Sequence, residues 1–345
     1  MGRRVGLLLA LLALVVASAA SGATTNRSQF ASAEIRAVVE AGLMGPSVNA
    51  FRPDDPLTAS ELAVVVSSLG GSMSIPDPDA VVPVRELDAR LVSLAGLRPE
   101  AQLVRQSALD VGISPRPWLG TETVARLLGL RVNHPQGSED LERSPKQPAS
   151  RAEAAYSLAK FRLLDAARIA AIQNLVSRFS VPTLTELQRD VLSRALRFVG
   201  YPYVFAGMSE QTQKLWSATA PGNTITVPGG FDCSGFVWRV YKLQPYPDAP
   251  ALAAVFRGRT TYAMSGEVPK AERIDRAAIV PGDVIFFGSR GPASKPSEIG
   301  HMGIYVGNGW FVHSSSGGVT LQPLAGWYAT TLAWARRPLA ESGLT

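Results

Sequence analysis

Two hexapeptides decide how this chain is read: Phe231-Asp232-Cys233-Ser234-Gly235-Phe236 and Gly300-His301-Met302-Gly303-Ile304-Tyr305. Working outward from the first, Phe236, Val237, Val240 and Tyr241 recur on one helical face, so the pattern predicts a helix that begins beside Cys233. Around the second, short apolar runs at 284–287, 302–306 and 310–313 are separated by turn residues and predict strands. A helix and short strands thus share one segment. Cys233 is the sole cysteine of the chain, so no intrachain disulfide can form. A lone cysteine is often a small buried hydrophobe. At a helix N-terminus, however, unpaired N–H groups and the positive dipole end favour a thiolate.

A thiolate nucleophile needs an imidazole, and only His301 and His313 lie downstream of Cys233; the third histidine, His134, lies in the other half of the chain. His301 and His313 flank a hairpin predicted on Gly307-Asn308-Gly309. If those three residues form the loop, Val306 pairs with Trp310, His313 opposes Gly303, and both imidazoles emerge on one sheet face. A two-residue loop would put them on opposite faces. The Cys/His set lacks the spacing of a familiar zinc motif, so no metal and no cofactor is expected. Asp232 is suited to cap the helix.

With these motifs, the segment Gly200-Tyr201-Pro202-Tyr203-Val204-Phe205-Ala206-Gly207 and the strand entry Pro281-Gly282-Asp283, the C-terminal half resembles the NlpC/P60 cysteine peptidases over about 150 residues. The resemblance implies a papain-like α+β fold in which the helix carrying the cysteine packs on an antiparallel sheet. It also implies hydrolysis of the D-γ-glutamyl–diamino acid bond in peptidoglycan stem peptides. Carried over by position, Cys233 attacks, His301 moves the proton and His313 orients His301. Tyr203, Asp232 and Ser234 would line the pocket for the free N-terminal end of the stem, with Asp232 facing its ammonium. Some twenty residues, 208–228, intervene between the tyrosine motif and Asp232; they read as a lid or as a decorative loop.

The N-terminal half is helical in pattern. Thr58 with Glu61, and Ser150 with Glu153, have capping-box spacing before apolar helices. Phe51-Arg52-Pro53, Thr58-Ala59-Ser60-Glu61 and Ser150-Arg151-Ala152-Glu153 resemble S-layer homology repeats, with a degraded middle repeat expected over 103–130. That resemblance implies binding of an anionic wall polymer, although Ala59 stands where the family has its polymer-contacting arginine. A helical spacer without a ligand is the simpler alternative.

Residues 1–23 open with Arg3 and Arg4, continue through an apolar run of about a dozen residues and end in small residues, the pattern of a secretory signal peptide. That run is short of the roughly 20 residues that span a bilayer. The expected division is therefore a leader over 1–23, a helical repeat domain over 24–180 and a peptidase domain over 181–345. The net charge of +6 is a mild and scattered excess, without the basic stripe of a nucleic-acid binder. The expected protein is a secreted, wall-associated hydrolase without a membrane partner once its leader is removed. A wall-binding protein with a vestigial peptidase half, or an amidase or acyltransferase of the same fold, are the competing readings.

Overall fold

The computed structural model describes residues 30–131, 141–216 and 222–344. The leader expected at 1–23 and His134 lie outside the described residues, as does part of the 208–228 insertion.

Residues 32–176 contain seven helices among the described residues: α1 (Ser32–Glu40), α2 (Ala59–Ser68), α3 (Val84–Leu94), α4 (Arg98–Asp110), α5 (Leu119–Leu128), α6 (Arg151–Phe161) and α7 (Ala166–Val176). Thr58 and Ser150 form reciprocal capping boxes with Glu61 and Glu153, satisfying N–H groups that a helix start leaves unpaired. The residues before α2, α3 and α6 meet in a closed ring of backbone hydrogen bonds. Leu57 N–H donates to Ala149 O (2.8 Å), Ala149 to Val82 O (2.9 Å) and Val82 to Leu57 O (2.9 Å). At the first residue of each helix a second ring runs in the opposite sense, from Ala59 to Ala80, Val84 to Gln147 and Arg151 to Asp55. Three helix starts are thus related by a local threefold arrangement. The middle one is Pro83-Val84-Arg85-Glu86, about twenty residues ahead of the expected middle repeat. Residues 103–130 instead contribute to α4 and α5, which pack on each other.

After α8 (Glu186–Leu196), short strands β1 (Met208–Ser209), β2 (Gln213–Trp216), β3 (Thr224–Val227) and β4 (Gly230–Phe231) lead into α9 (Cys233–Tyr241). Two short helices follow, α10 (Leu252–Val255) and α11 (Thr261–Gly266). An antiparallel sheet is then built from β5 (Val284–Gly288), β6 (Ile299–Gly307), β7 (Trp310–Ser315), β8 (Gly318–Pro323) and β9 (Leu332–Arg336), in the order β8-β7-β6-β5-β9. Helix α12 (Trp327–Thr331) precedes β9, and α13 (Pro338–Glu341) follows it. Alternation along the strands divides the side chains between two faces. Met302, Ile304, Val306 and Val312 join Phe236, Val237 and Val240 of α9 in the main core, whereas Ile285, Phe287 and Phe311 form a second cluster with Tyr328.

The main core is continuous from Ile35 to Leu339, so the N- and C-terminal parts share buried apolar surface. At the junction Phe179 meets Trp310 edge-on at 5.0 Å. Arg126 of α5 is almost fully buried; it donates to Gly200 O at 2.7 Å and to Gly317 O while pairing with Glu142 at 2.7 Å. No helix of the described residues is long and apolar enough to cross a membrane.

Candidate active site

Cys233 is the first residue of α9, and Asp232 is its N-cap, accepting from Gly235 N–H. Gly235 is required here by packing. A Cβ on it would lie 1.9 Å from Gly207 O and 2.6 Å from Arg259 Nη2, so the space beside Gly235 is already filled by the protein itself.

The hairpin between His301 and His313 differs in detail from the three-residue loop expected. Tyr305 pairs with Phe311 and Ile304 with Val312, but Gly307 pairs with Trp310, leaving Val306 as a bulge ahead of a two-residue Asn308-Gly309 turn. Both turn residues have positive φ, +47° and +78°, as a tight hairpin turn demands. A two-residue turn alone would separate the imidazoles; the extra residue of the bulge restores the face. His313 therefore lies across from Gly303, where any Cβ would come 2.9 Å from the His313 Cβ. His301 Nε2 and His313 Nδ1 face each other at 2.8 Å. That contact commits the two nitrogens to one another rather than to a metal ion.

His313 is fully buried. Its ring stacks on Phe311 at 4.6 Å and meets the edge of Tyr328 at 5.0 Å. Desolvation, then the neighbouring His301, push its pKa well below the ordinary value, while the Gln322 side chain on β8 favours its protonated form. His301, packed against Phe287 at 5.6 Å and Tyr328 at 5.9 Å, is lowered by desolvation to about 4. Both imidazoles are neutral at neutral pH, so His301 is competent to accept a proton.

The regular pairing of β6 with β7 ends at Ile304–Val312. Where the strands part, the Met302 N–H turns to the Cys233 sulfur, which places the thiol beside the residue that follows His301. The sulfur also contacts Thr261 Oγ1 of α11 at 3.3 Å. Among the described residues no hydrogen bond joins Sγ to either imidazole. Burial raises the thiol pKa and Asp232 adds to that, outweighing hydrogen bonds from Thr261 and from the Ser234 and Met302 N–H groups. The lowered pKa expected from the helix N-terminus is thus not the outcome. The N–H groups act in the expected direction, but desolvation is larger.

Ser234 Oγ donates to Asp232 Oδ1 at 3.0 Å. Arg259 donates to Ser234 Oγ at 2.6 Å, to Asp232 Oδ1 at 3.3 Å and to Ala206 O at 3.0 Å. Asp232 is therefore already paired with a cation. Tyr203 runs parallel to Phe231 in a backbone bridge, one residue from Asp232. The insertion is fastened by Glu210, which takes two hydrogen bonds from Arg239 of α9 at 2.8 and 2.7 Å, and by Leu215 and Val227 against Val204.

Comparison with known proteins covers the part of the chain that holds the cysteine and the two imidazoles. Residues 200–337 match the NlpC/P60 family. Three curated proteins with this similarity differ in the bond their names specify. The bifunctional muramidase/DL-endopeptidase CwlT of Bacillus subtilis is 30% identical over 144 residues, covering 41% of this chain and 34% of that protein. The murein DD-endopeptidase MepH of Escherichia coli is 28% identical over 131 residues (38% and 37%). The gamma-D-glutamyl-L-lysine dipeptidyl-peptidase of B. subtilis is 26% identical over 136 residues (39% and 34%). The chain spans about a third of the length of these relatives. Among solved structures, an NlpC/P60 family protein from Bacillus cereus aligns at 24% identity with a TM-score of 0.32, covering 47% of this chain and 43% of that one.

Arg259, Thr261, Gln322 and Tyr328 were not among the residues singled out from sequence. Arg259 and Thr261 lie 26 and 28 positions beyond Cys233, and only the tertiary fold brings them to the NlpC/P60 motif. Gln322 could have been found from the strand pattern: it pairs with Phe311, two residues from His313 on the same face.

Proposed function

We propose that this protein is a secreted, wall-associated cysteine endopeptidase that hydrolyses the D-γ-glutamyl–diamino acid bond of peptidoglycan stem peptides. The observation that carries this reading is the His301–His313 contact at 2.8 Å next to the only thiol of the chain. Two neutral imidazoles with facing nitrogens form an acceptor whose orientation is set from behind, as nucleophilic catalysis requires.

In the proposed cycle the Cys233 side chain turns from Thr261 to the scissile carbonyl, and its proton passes to His301 as the C–S bond forms. His301 returns that proton to the departing amine of the diamino acid. Water, deprotonated by His301, then cleaves the thioester, and the thiol is restored. The resting thiol is neutral, so proton transfer accompanies attack and does not precede it. Tyr203, Ser234 and Asp232 line the position for the free end of the stem, where Asp232 shares its charge between Arg259 and the substrate ammonium.

Mass spectrometry of L-Ala-γ-D-Glu-diaminopimelate incubated with the protein, run beside Cys233→Ala, tests the proposal. Dipeptide release by the wild type alone is the expected result. One observation favours a second reading, a wall-binding protein without activity: the Cys233 sulfur is half-buried and bonded to Thr261 rather than to an imidazole. No release from any stem peptide or from intact sacculi would favour that reading. Cleavage at another bond would point to an amidase or acyltransferase.

A further inference from the structure

A single exposed apolar side chain calls for no explanation, but Trp216 stands on a ribbon that is firmly built. Antiparallel pairing of β2 with β3 sets Lys214 opposite Thr226 and Trp216 opposite Thr224, so these four side chains share one face. All four are exposed, Trp216 to 75%. The other face carries Leu215 and Val227, which are buried against Val204. At the foot of the ribbon the Gln213 side chain accepts from Met208 N–H at 2.9 Å and donates to Gly230 O at 3.0 Å and to Pro228 O at 3.3 Å.

That foot adjoins the nucleophile. Phe231, the residue before the N-cap Asp232, pairs with Met208 of β1 on one side and is bridged by Tyr203 on the other. Trp216 lies three residues beyond Gln213, about 10 Å along a strand. Between the ribbon and α9 a cavity of about 320 Å³ is lined by Met208, Lys214, Leu215 and Leu243 among others. Lys214 belongs to both, so the cavity adjoins the Trp216 face. These groups suit an N-acetylated sugar. An indole offers a flat apolar surface to the C–H face of a pyranose ring, threonine hydroxyls both donate and accept, and the Lys214 ammonium donates. The apolar wall of the cavity suits an acetamido methyl group.

We propose that the β2–β3 ribbon binds a neutral N-acetylated sugar of the glycan that carries the stem peptide, and that stems still joined to glycan are preferred over free ones. The proposed function puts the N-terminal end of the stem at Tyr203, Asp232 and Ser234. In an intact wall that end is an amide leading to a sugar. Tyr203 and the foot of the ribbon meet on Phe231, so the substrate leaves the site toward the insertion. A second contact made by the same molecule adds to the first without a new association step. The preference for attached stems rests on the peptidase reading, whereas sugar binding by the ribbon is measured without it.

Calorimetric titration of the full chain with chitotetraose, a neutral oligomer of N-acetylglucosamine, tests the ribbon. Saturable binding is expected. Trp216→Ala should weaken it about tenfold or more, the loss that a central tryptophan contact carries, whereas Leu163→Ala, at an exposed apolar residue of the N-terminal part, should change it less than about twofold. Trp216→Phe keeps a flat ring and should recover most of the loss. The second arm compares L-Ala-γ-D-Glu-diaminopimelate, free and joined to N-acetylglucosaminyl-N-acetylmuramic acid. An advantage in kcat/KM of about tenfold is expected for the attached form, shrinking to less than about twofold in Trp216→Ala. No saturable binding of chitotetraose, equal losses in Trp216→Ala and Leu163→Ala, or an advantage that persists in Trp216→Ala would overturn the proposal. So would binding to phosphatidylglycerol vesicles that Trp216→Ala abolishes, with none to the sugar. Sugar binding with neither tripeptide cleaved would remove the peptidase reading and leave the ribbon site standing.

Discussion

His301 Nε2 lies 2.8 Å from His313 Nδ1, and this single contact constrains where the protons sit on both rings. For the other nitrogen of His301 to accept a proton, Nε2 must carry hydrogen and donate it to His313 Nδ1. The proton of His313 is then on its Nε2, which is buried. Gln322, whose side chain favours protonated His313, is the group from β8 suited to receive it.

The kinetic consequence is graded. Cys233→Ala is expected to abolish hydrolysis without changing the far-ultraviolet circular dichroism. His301→Ala should lower kcat by about 10²- to 10⁴-fold, the range of a lost general base. His313→Ala should cost less than His301→Ala and act on kcat rather than KM, because His313 only orients its neighbour. Equal kcat in His313→Ala and wild type, measured on the same tripeptide, would remove the orienting role.

Burial raises the Cys233 pKa, so less thiolate is present at mildly alkaline pH than in an unfolded chain. Iodoacetamide should label native protein more slowly than urea-unfolded protein at about pH 8, with the native profile displaced to higher pH. Faster labelling of the native form would instead indicate a preformed thiolate–imidazolium pair.

His301 is held to about 4 in the fold against 6.5 ordinarily, so between these values the unfolded chain binds the proton that the native site refuses. Stability attributable to this neutral ring is complete above about pH 6.5 and is lost as pH falls toward about 4. His313, lowered for the same reason, acts in the same direction. Urea midpoints should therefore fall with acidification through that window, and fall less in His301→Gln. A flat profile in the wild type would contradict desolvation of the pair.

The site was partly legible because its parts are local. The helix start at Cys233 and the position of His313 across from Gly303 follow from periodicity and register over short stretches. The bulge at Val306 did not, since apolar alternation does not distinguish a three-residue loop from a two-residue turn preceded by a bulge. Thr58 and Ser150 announce their helices by side-chain caps. The third start was hidden because Pro83 makes no side-chain cap, and its N–H partners come from residues 145–147, far along the chain. Arg259 reached Asp232 and Thr261 reached Cys233 only through tertiary packing, and neither pairing leaves a trace in spacing.

Gly235 tests packing at the helix that carries Cys233. A methyl group there meets the Gly207 carbonyl and the Arg259 guanidinium. Gly235→Ala is expected to destabilise by about 3 kcal/mol or more, at the upper end of overpacking costs, because the obstructing atom is backbone. Chemical denaturation measures this directly. A loss below roughly 1 kcal/mol would mean that the 206–207 segment yields easily.

Arg126 tests whether the two parts of the chain act as one body. Its side chain is almost fully buried, and it ties α5 to Gly200 and to the β7–β8 turn while answering Glu142. Removing it leaves the buried Glu142 to Arg131 alone and opens a cavity, a loss of about 3 kcal/mol, the lower end for a broken buried pair because one cation remains, and also removes the polar bond across the junction. With one continuous core, the wild type should unfold in a single transition by calorimetry. Arg126→Ala should lower that transition and split it, the N-terminal helices melting before the sheet. Arg126→Met fills the space without the charge and leaves Glu142 to Arg131 alone, at 3.1 Å. It should melt at or below the wild-type temperature but separate the transitions in the same way, because the missing element in both variants is the bond to Gly200 and Gly317. Two resolved transitions already present in the wild type would show that Arg126 does not couple the helices to the site.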